Sequence, residues 1–288
     1  MKVVRTKAEL RAELEPARRS GGVIGLVPTM GALHDGHLAL LAAARTRCDV
    51  VVMSLFVNPT QFGPGEDLDA YPRDEPRDIE LADATGVDIV YAPAVAEVYP
   101  DGFATSVEVS GELTDVLVGD PRRRGPDHFR GVTTVVAKLL VSVGPKLLFV
   151  GQKDAQQAVV IRRMVCDLDF DVEVVAVPTV RAADGLALSS RNAYLSEAER
   201  ERAAAIGRSL ATAAERVARG ECSLAEAVAG ARAELERAGI EPEYLEARDA
   251  ENLSEATSFN GRPVLIAIAA RVGNARLIDN VLIEGGTK

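Results

Sequence analysis

The stretch "GVIGLVPTMGALHDGHLALLAAARTR", Gly22 to Arg47, contains a strand, a turn and a helix in succession. "GVIGLVPT" is a short apolar run of strand length, and "LALLAAARTR" has the composition of a helix. Between them "PTMGALHDGH" holds two of the chain's three histidines. His34 and His37 are spaced by one helical turn and so share a face. Gly31 lets the backbone turn and approach a ligand closely. The helix that follows turns its unpaired N–H groups and positive dipole end toward whatever binds there, which favours phosphate. Two imidazoles at that place can hydrogen-bond phosphate oxygens and stabilise charge that builds during attack on phosphorus. A zinc pair is the main rival, but zinc needs a third protein ligand, and His128 lies far away in the sequence. The plainer alternative is that one histidine caps the helix and the other decorates the surface.

The same alternation extends outward. "DVVVMSLFV", "VDIVYAP", "KLLFVG" and "DVEVVAVPTV" predict further strands. "EPRDIELADATG", with Pro76 in its first turn, "GVTTVVAKLLVSV" and "AQQAVVIRRMVCDL" predict helices. Near-continuous apolar strands between helices imply a parallel sheet covered on both faces, a doubly wound α/β domain over residues 1–180. The chain then changes texture. Residues 181–288 predict a smaller α+β domain, with two helices between Glu197 and Gly239 and two or three short strands after them. Ser223 and Glu226 have capping-box spacing before the second helix.

Composition narrows the function. The 288 residues are 47% hydrophobic and 26% charged, with a net charge of −10. That balance argues against a general nucleic-acid binder, which needs a basic face. Three cysteines without a CxxC suit a reducing cytoplasm, and no apolar run reaches membrane-spanning length. GxxxxGK[ST] and GxGxxG are both absent, so a phosphate site here points to the HxGH nucleotidyltransferase type, in which the histidine pair works with a later loop. "ALSSRN", Ala187 to Asn192, stands where that loop belongs.

With "PTMGALHDGH", "SLFVNPTQFGPGEDLDAYPR", "HFRGVTTVVAKLL", "GQKDAQQ" and "ADGLALSSRN" in this order, the chain resembles the pantoate–β-alanine ligase (pantothenate synthetase) family. These blocks span most of residues 24–195; the last third matches more loosely, through "YLEARD" and "RLIDN". The resemblance implies a Rossmann-like sheet and a two-step reaction. Pantoate's carboxylate attacks the α-phosphate of ATP, giving pantoyl adenylate and pyrophosphate; the β-alanine amine then displaces AMP. It implies catalytic roles for His37, His34 and Lys153. It places ATP against Met30, Gly31, His34, His37, Gly151, Lys153, Asp154, Val180, Leu188, Ser189, Ser190 and Arg191. Gln61 and Gln157 would hold pantoate, with Gln61 also touching β-alanine, and Asp78 would lie near Mg²⁺. A cytoplasmic homodimer is implied as well. Uncharged amides suit a carboxylate that must stay nucleophilic, and a lysine suits phosphate as a mobile point charge.

The chain departs from the family pattern at Val118, Gln152 and Leu188, and in the longer "GDPRRRGPDHF", which leaves open which of Arg122, Arg123 and Arg124 enters the site. Two other classes share part of the signal. A nucleotidyltransferase acting on a phosphate acceptor would want cations in place of the glutamine pair. A non-catalytic nucleotide binder need not keep both His37 and Lys153.

Overall fold

The computed structural model describes residues 1–66 and 68–284. The chain enters through β1 (Lys2–Val4) and α1 (Lys7–Ser20), ahead of the strand that the sequence suggests as the first. The signal was present: Thr6 and Glu9 close a capping box at the start of α1. β2 (Ile24–Thr29), α2 (Asp35–Arg47), β3 (Val50–Leu55), α3 (Glu75–Ala84) and β4 (Ile89–Tyr91) follow. α4 (Val95–Val98) and α5 (Glu112–Asp115) are single turns, and then come α6 (Pro126–Val143), β5 (Leu147–Gly151), α7 (Ala155–Asp167) and β6 (Glu173–Val177).

These six strands form one parallel sheet in the order β1-β4-β3-β2-β5-β6. From β2 the chain winds outward through β3 to β4, which pairs with the edge strand β1, and then returns to the other side of β2 through β5. The winding therefore reverses between β2 and β5, and a crevice opens at their carboxyl ends, where sheets of this kind bind ligands. α6 is helical despite its valines because it is buried almost all round: Val132, Val135, Val136, Leu139, Leu140 and Val143 lie in the core. Gly144 ends it in the left-handed conformation (φ +57°).

α8 (Glu197–Ala218) and α9 (Leu224–Arg237) confirm the two expected helices, with Ser196–Glu199 and Ser223–Glu226 capping boxes. The last strands fall on the stretches that the sequence suggests. β7 (Pro242–Asp249), β8 (Val264–Val272) and β9 (Ala275–Ile283) make an antiparallel sheet of three. β8 is buried on both faces. Val264, Ile266, Ile268 and Ala270 pack under α8 and α9, while Leu265, Ala267 and Ala269 join Val118, Phe129, Val159 and Tyr244 against the first sheet's helices. That double burial explains the unbroken apolar run "VLIAIAA".

The turn after β2 is held from beneath. Gly31 (φ +85°) and Ala32 (φ +51°) both lie in the left-handed region. The backbone N–H groups of Ala32 and Leu33 donate to the two carboxylate oxygens of Asp78 at 2.9 and 2.7 Å. Asp78 is buried (2% exposed) on α3, where it braces the turn between β2 and α2. Both oxygens are committed to the loop that carries the histidines. Burial raises the Asp78 pKa, and the two backbone bonds oppose that rise. An amide can accept at only one of these positions and sets an NH₂ against the other N–H. Asp78→Asn is therefore expected to cost about 1–3 kcal/mol in urea unfolding; an unchanged midpoint and slope would refute the brace.

Candidate active site

α2 begins with a capping box made of histidines. The Nδ1 of His34 accepts the Gly36 N–H at 3.1 Å, and the Nδ1 of His37 accepts the His34 N–H at 3.4 Å. The two rings lie with centroids 4.1 Å apart. Gly36 is required between them, because a Cβ there would sit 2.8 Å from the Cε1 of His34. A nitrogen that accepts a backbone N–H carries no proton of its own, so each neutral ring holds its proton on Nε2. Burial pushes the His37 pKa down to about 3, helped by His34 and Lys153, and burial and Lys153 also lower that of His34. Both rings are thus neutral hydrogen-bond donors near pH 7. Capping uses the Nδ1 of both rings and leaves each Nε2–H outside the cap, so capping and ligand binding are not exclusive alternatives.

A cavity of about 250 Å³ opens at the ends of β2 and β5. It brings together Met30, His34, His37, Gln61, Gly151, Lys153, Asp154, Gln157, Val180, Leu188, Ser189, Ser190 and Arg191, all anticipated from the sequence. Gly31 and Asp78 do not line it. Gly31 instead makes the turn, where a Cβ would come 2.8 Å from the Asp78 carboxylate. A Cβ at Gly151 would meet nothing within 4 Å, so there the chain leaves room beside the cavity.

Gln61 ends a 3₁₀ turn (Pro59–Gln61). Its Oε1 accepts from the Nδ2 of Asn58 at 3.1 Å, and its Nε2 lies 3.1 Å from the Sδ of Met30. α6 holds this turn closely: a Cβ on Gly131 would fall 2.3 Å from the Thr60 carbonyl oxygen. The neighbouring glutamines of α7 divide their labour. Gln156 is buried, accepts from the Val118 N–H and donates to the Leu113 and Val116 carbonyls, while Gln157 borders the cavity. Ser189 accepts the Arg191 N–H and starts the 3₁₀ turn Ser190–Tyr194. Leu186 and Ala187 just before it are buried, and Arg181 ties this hairpin to Asp279 on β9 at 2.6 Å. The loop that carries Ala187 to Asn192 is therefore tied to the C-terminal sheet.

A second, polar cleft of about 790 Å³ adjoins the first along that sheet, and the two share Arg124, His128, Lys153, Asp154, Gln157, Ser189 and Arg191. Arg122, Arg123 and Arg124 all border the larger cleft, and of the three Arg124 also lines the smaller cavity. Arg122 pairs with Asp120, and Arg123 lies over the Tyr244 ring at 4.6 Å, while Arg124 pairs with Glu66 and borders both cavities. His128 and Asn280 are the site residues that the sequence reading passed over. The Nδ2 of Asn280 donates to the carbonyls of Gln152 and Lys153 at 2.9 and 2.8 Å. His128 fell inside a recognised block, "HFRGVTTVVAKLL", and its distance along the chain concealed it.

Residues 2–282 match the family model for pantoate-beta-alanine ligase. The pantothenate synthetase of Moorella thermoacetica is 52% identical over 288 residues, 99% of this chain and 99% of its own length. That of Acetivibrio thermocellus is 49% identical over 99% of this chain and 100% of its own. The crystal structure of the Thermus thermophilus pantothenate synthetase superposes with a TM-score of 0.91 at 47% identity, covering 99% of this chain and 100% of that one. The Francisella tularensis pantoate-beta-alanine ligase, crystallised with beta-gamma ATP and beta-alanine, gives 0.81 at 32% identity, with 99% of each chain covered. Matched from end to end in sequence and in fold, the chain belongs to the pantoate–β-alanine ligase family and is an enzyme that joins pantoate to β-alanine to form pantothenate.

Proposed function

We propose that the ligation runs through pantoyl adenylate, with ATP bound across the ends of β2 and β5. The observation that carries this reading is one cavity with two kinds of wall: His34, His37 and Lys153 on one side, and the uncharged amides of Gln61 and Gln157 on the other. A pantoate oxygen attacks the α-phosphorus, the bond to the bridging oxygen of pyrophosphate breaks, and pyrophosphate leaves with the electron pair. Charge grows on the α-phosphoryl oxygens in the transition state. The Nε2–H groups of His34 and His37 and the ammonium of Lys153 stabilise it there. His37 donates a hydrogen bond in this step, and its proton stays on the ring.

Gly151 gives the ribose room and Asp154 accepts from its hydroxyls. The buried Thr179 hydroxyl, unpartnered in this structure beside Val180, is left for the base. Met30 and Leu188 supply apolar contact, and Ser189, Ser190 and Arg191 take the outer phosphates. Residues 181–288 act as the closing domain over this cleft. Magnesium is the expected companion of the triphosphate, but among the described residues no three His, Cys, Asp or Glu side chains gather to hold a metal. With Asp78 bound to the loop, these residues do not fit a protein-built magnesium site. The chain's own contribution to neutralising the phosphates comes from the imidazole N–H groups, Lys153 and Arg191.

Three free cysteines suit a cytoplasmic setting, and no helix among the described residues is long and apolar enough to cross a membrane. Family resemblance supports a homodimer, and sedimentation at a single chain's mass would exclude it.

Labelled pyrophosphate should exchange into ATP with pantoate present and β-alanine absent; exchange that required β-alanine would overturn the two-step order. His37→Ala should slow that exchange by about 10²–10³-fold in folded protein, the effect of removing one donor to a developing oxyanion. Gln157→Ala should raise the KM for pantoate by roughly tenfold to a hundredfold and leave that for ATP nearly unchanged, since a buried substrate group loses its partner. If the ATP value moved instead, Gln157 would belong to the nucleotide side.

A further inference from the structure

We propose that His128 accepts the amine proton in the second half of the reaction, a role that rests on the adenylate reading. Its Nδ1 lies 2.8 Å from the backbone carbonyl oxygen of Gln61. A carbonyl oxygen only accepts, so Nδ1 carries the hydrogen and the neutral ring leaves its lone pair on Nε2. His34 and His37 have the opposite arrangement, with Nδ1 accepting and Nε2–H presented. No hydrogen bond from a described residue reaches the Nε2 of His128, and the residue borders both the cavity and the cleft. Of three histidines at one site, two offer hydrogens and the third offers an electron pair.

The location matches the chemistry of the second step. His128 borders both the 250 Å³ cavity and the larger cleft. The amine reaches the adenylate from the cleft once pyrophosphate has gone. The charged groups that act on the ring are Arg124, Glu66 and Asp154. Glu66 is committed to Arg124, and Asp154 is assigned to the ribose, so the neutral imidazole is the acceptor left for an N–H. Burial, then Arg124, pushes its pKa down to about 4, which keeps the ring uncharged through the physiological range. So weak a base does not strip a free ammonium. It acts on the adduct, whose nitrogen becomes positive and acidic as the new bond forms.

The step balances within the site. β-Alanine's ammonium first loses a proton to solvent. The lone pair of the neutral amine attacks the carbonyl carbon of the mixed anhydride, and the C–N bond forms as the carbonyl π pair moves onto oxygen. An N–H bond then breaks as its proton passes to the Nε2 of His128. The C–O bond to phosphate breaks, AMP leaves with the electron pair, and the imidazolium returns the proton to water in the cleft.

His128→Asn separates this role from mere support of Gln61, because an asparagine Nδ2–H can replace the Nδ1–H donor but puts no acceptor where Nε2 lies. Pantoate-dependent exchange of pyrophosphate into ATP should stay within about threefold of wild type. Single-turnover attack of β-alanine on enzyme-bound adenylate should slow by about 10²-fold or more, the usual worth of a general base. Hydroxylamine, whose adduct is acidic enough to lose its proton to water, should react at nearly the wild-type rate. A structural defect would slow both nucleophiles alike, and that result would overturn the proposal. So would an undiminished rate with β-alanine, or loss of exchange in folded variant protein. Absence of exchange in the wild-type enzyme would strike the adenylate reading itself, and the proposal with it.

Discussion

The first turn of α2 is closed by two imidazoles, and the polarity of the whole site follows from that bond pattern. At α1, α8 and α9 the same chain closes its helices with Thr6–Glu9, Ser196–Glu199 and Ser223–Glu226. Such a cap stabilises a helix by about 1 kcal/mol and has no further duty. At α2 the acceptor is a ring nitrogen, and a neutral imidazole that accepts on one side must donate on the other. The cap thereby sets the tautomer, and the tautomer leaves an Nε2–H on each of two rings that line the 250 Å³ cavity. Asp78 supports the arrangement from below and Gly36 makes room for it.

Much of this was legible in the sequence because it is local. The strand, glycine turn and histidine spacing of residues 22–47 lie within one supersecondary unit, where periodicity and composition carry the information. Asp78 was legible as a family acid near Mg²⁺ but not as the brace of this loop, since a carboxylate that accepts backbone N–H groups looks the same in sequence as one facing an ion. Arg124 could not be told from Arg122 and Arg123 because the choice is made by Glu66, far back along the chain. His128 was missed for the same reason. Its value comes from the Gln61 carbonyl, and a contact between a side chain and a distant backbone atom leaves no periodic trace.

The C-terminal sheet illustrates the limit of pattern reading in another way. β8 carries no polar face, and a strand of that kind looks like one from a parallel sheet. It is antiparallel and still buried on both sides, because α8 and α9 cover one face while α7 and the Leu117–Val118 turn cover the other. The two units therefore share a hydrophobic boundary, and the polar cleft lies along its edge.

The bonds from Asn280 to the Gln152 and Lys153 carbonyls span nearly half the chain. Lys153 belongs to the first sheet by sequence, yet its backbone is steadied by the strand that is made last. During synthesis the parallel sheet can assemble once β6 has emerged, and its histidines can take up their places at that stage. The lysine turn must wait until β9 docks, a contact of high sequence separation whose closure comes late. The order in which the cavity wall matures is thus written into the fold: a chain grown through β6 can hold its two imidazoles in place before β9 steadies the turn that carries Lys153.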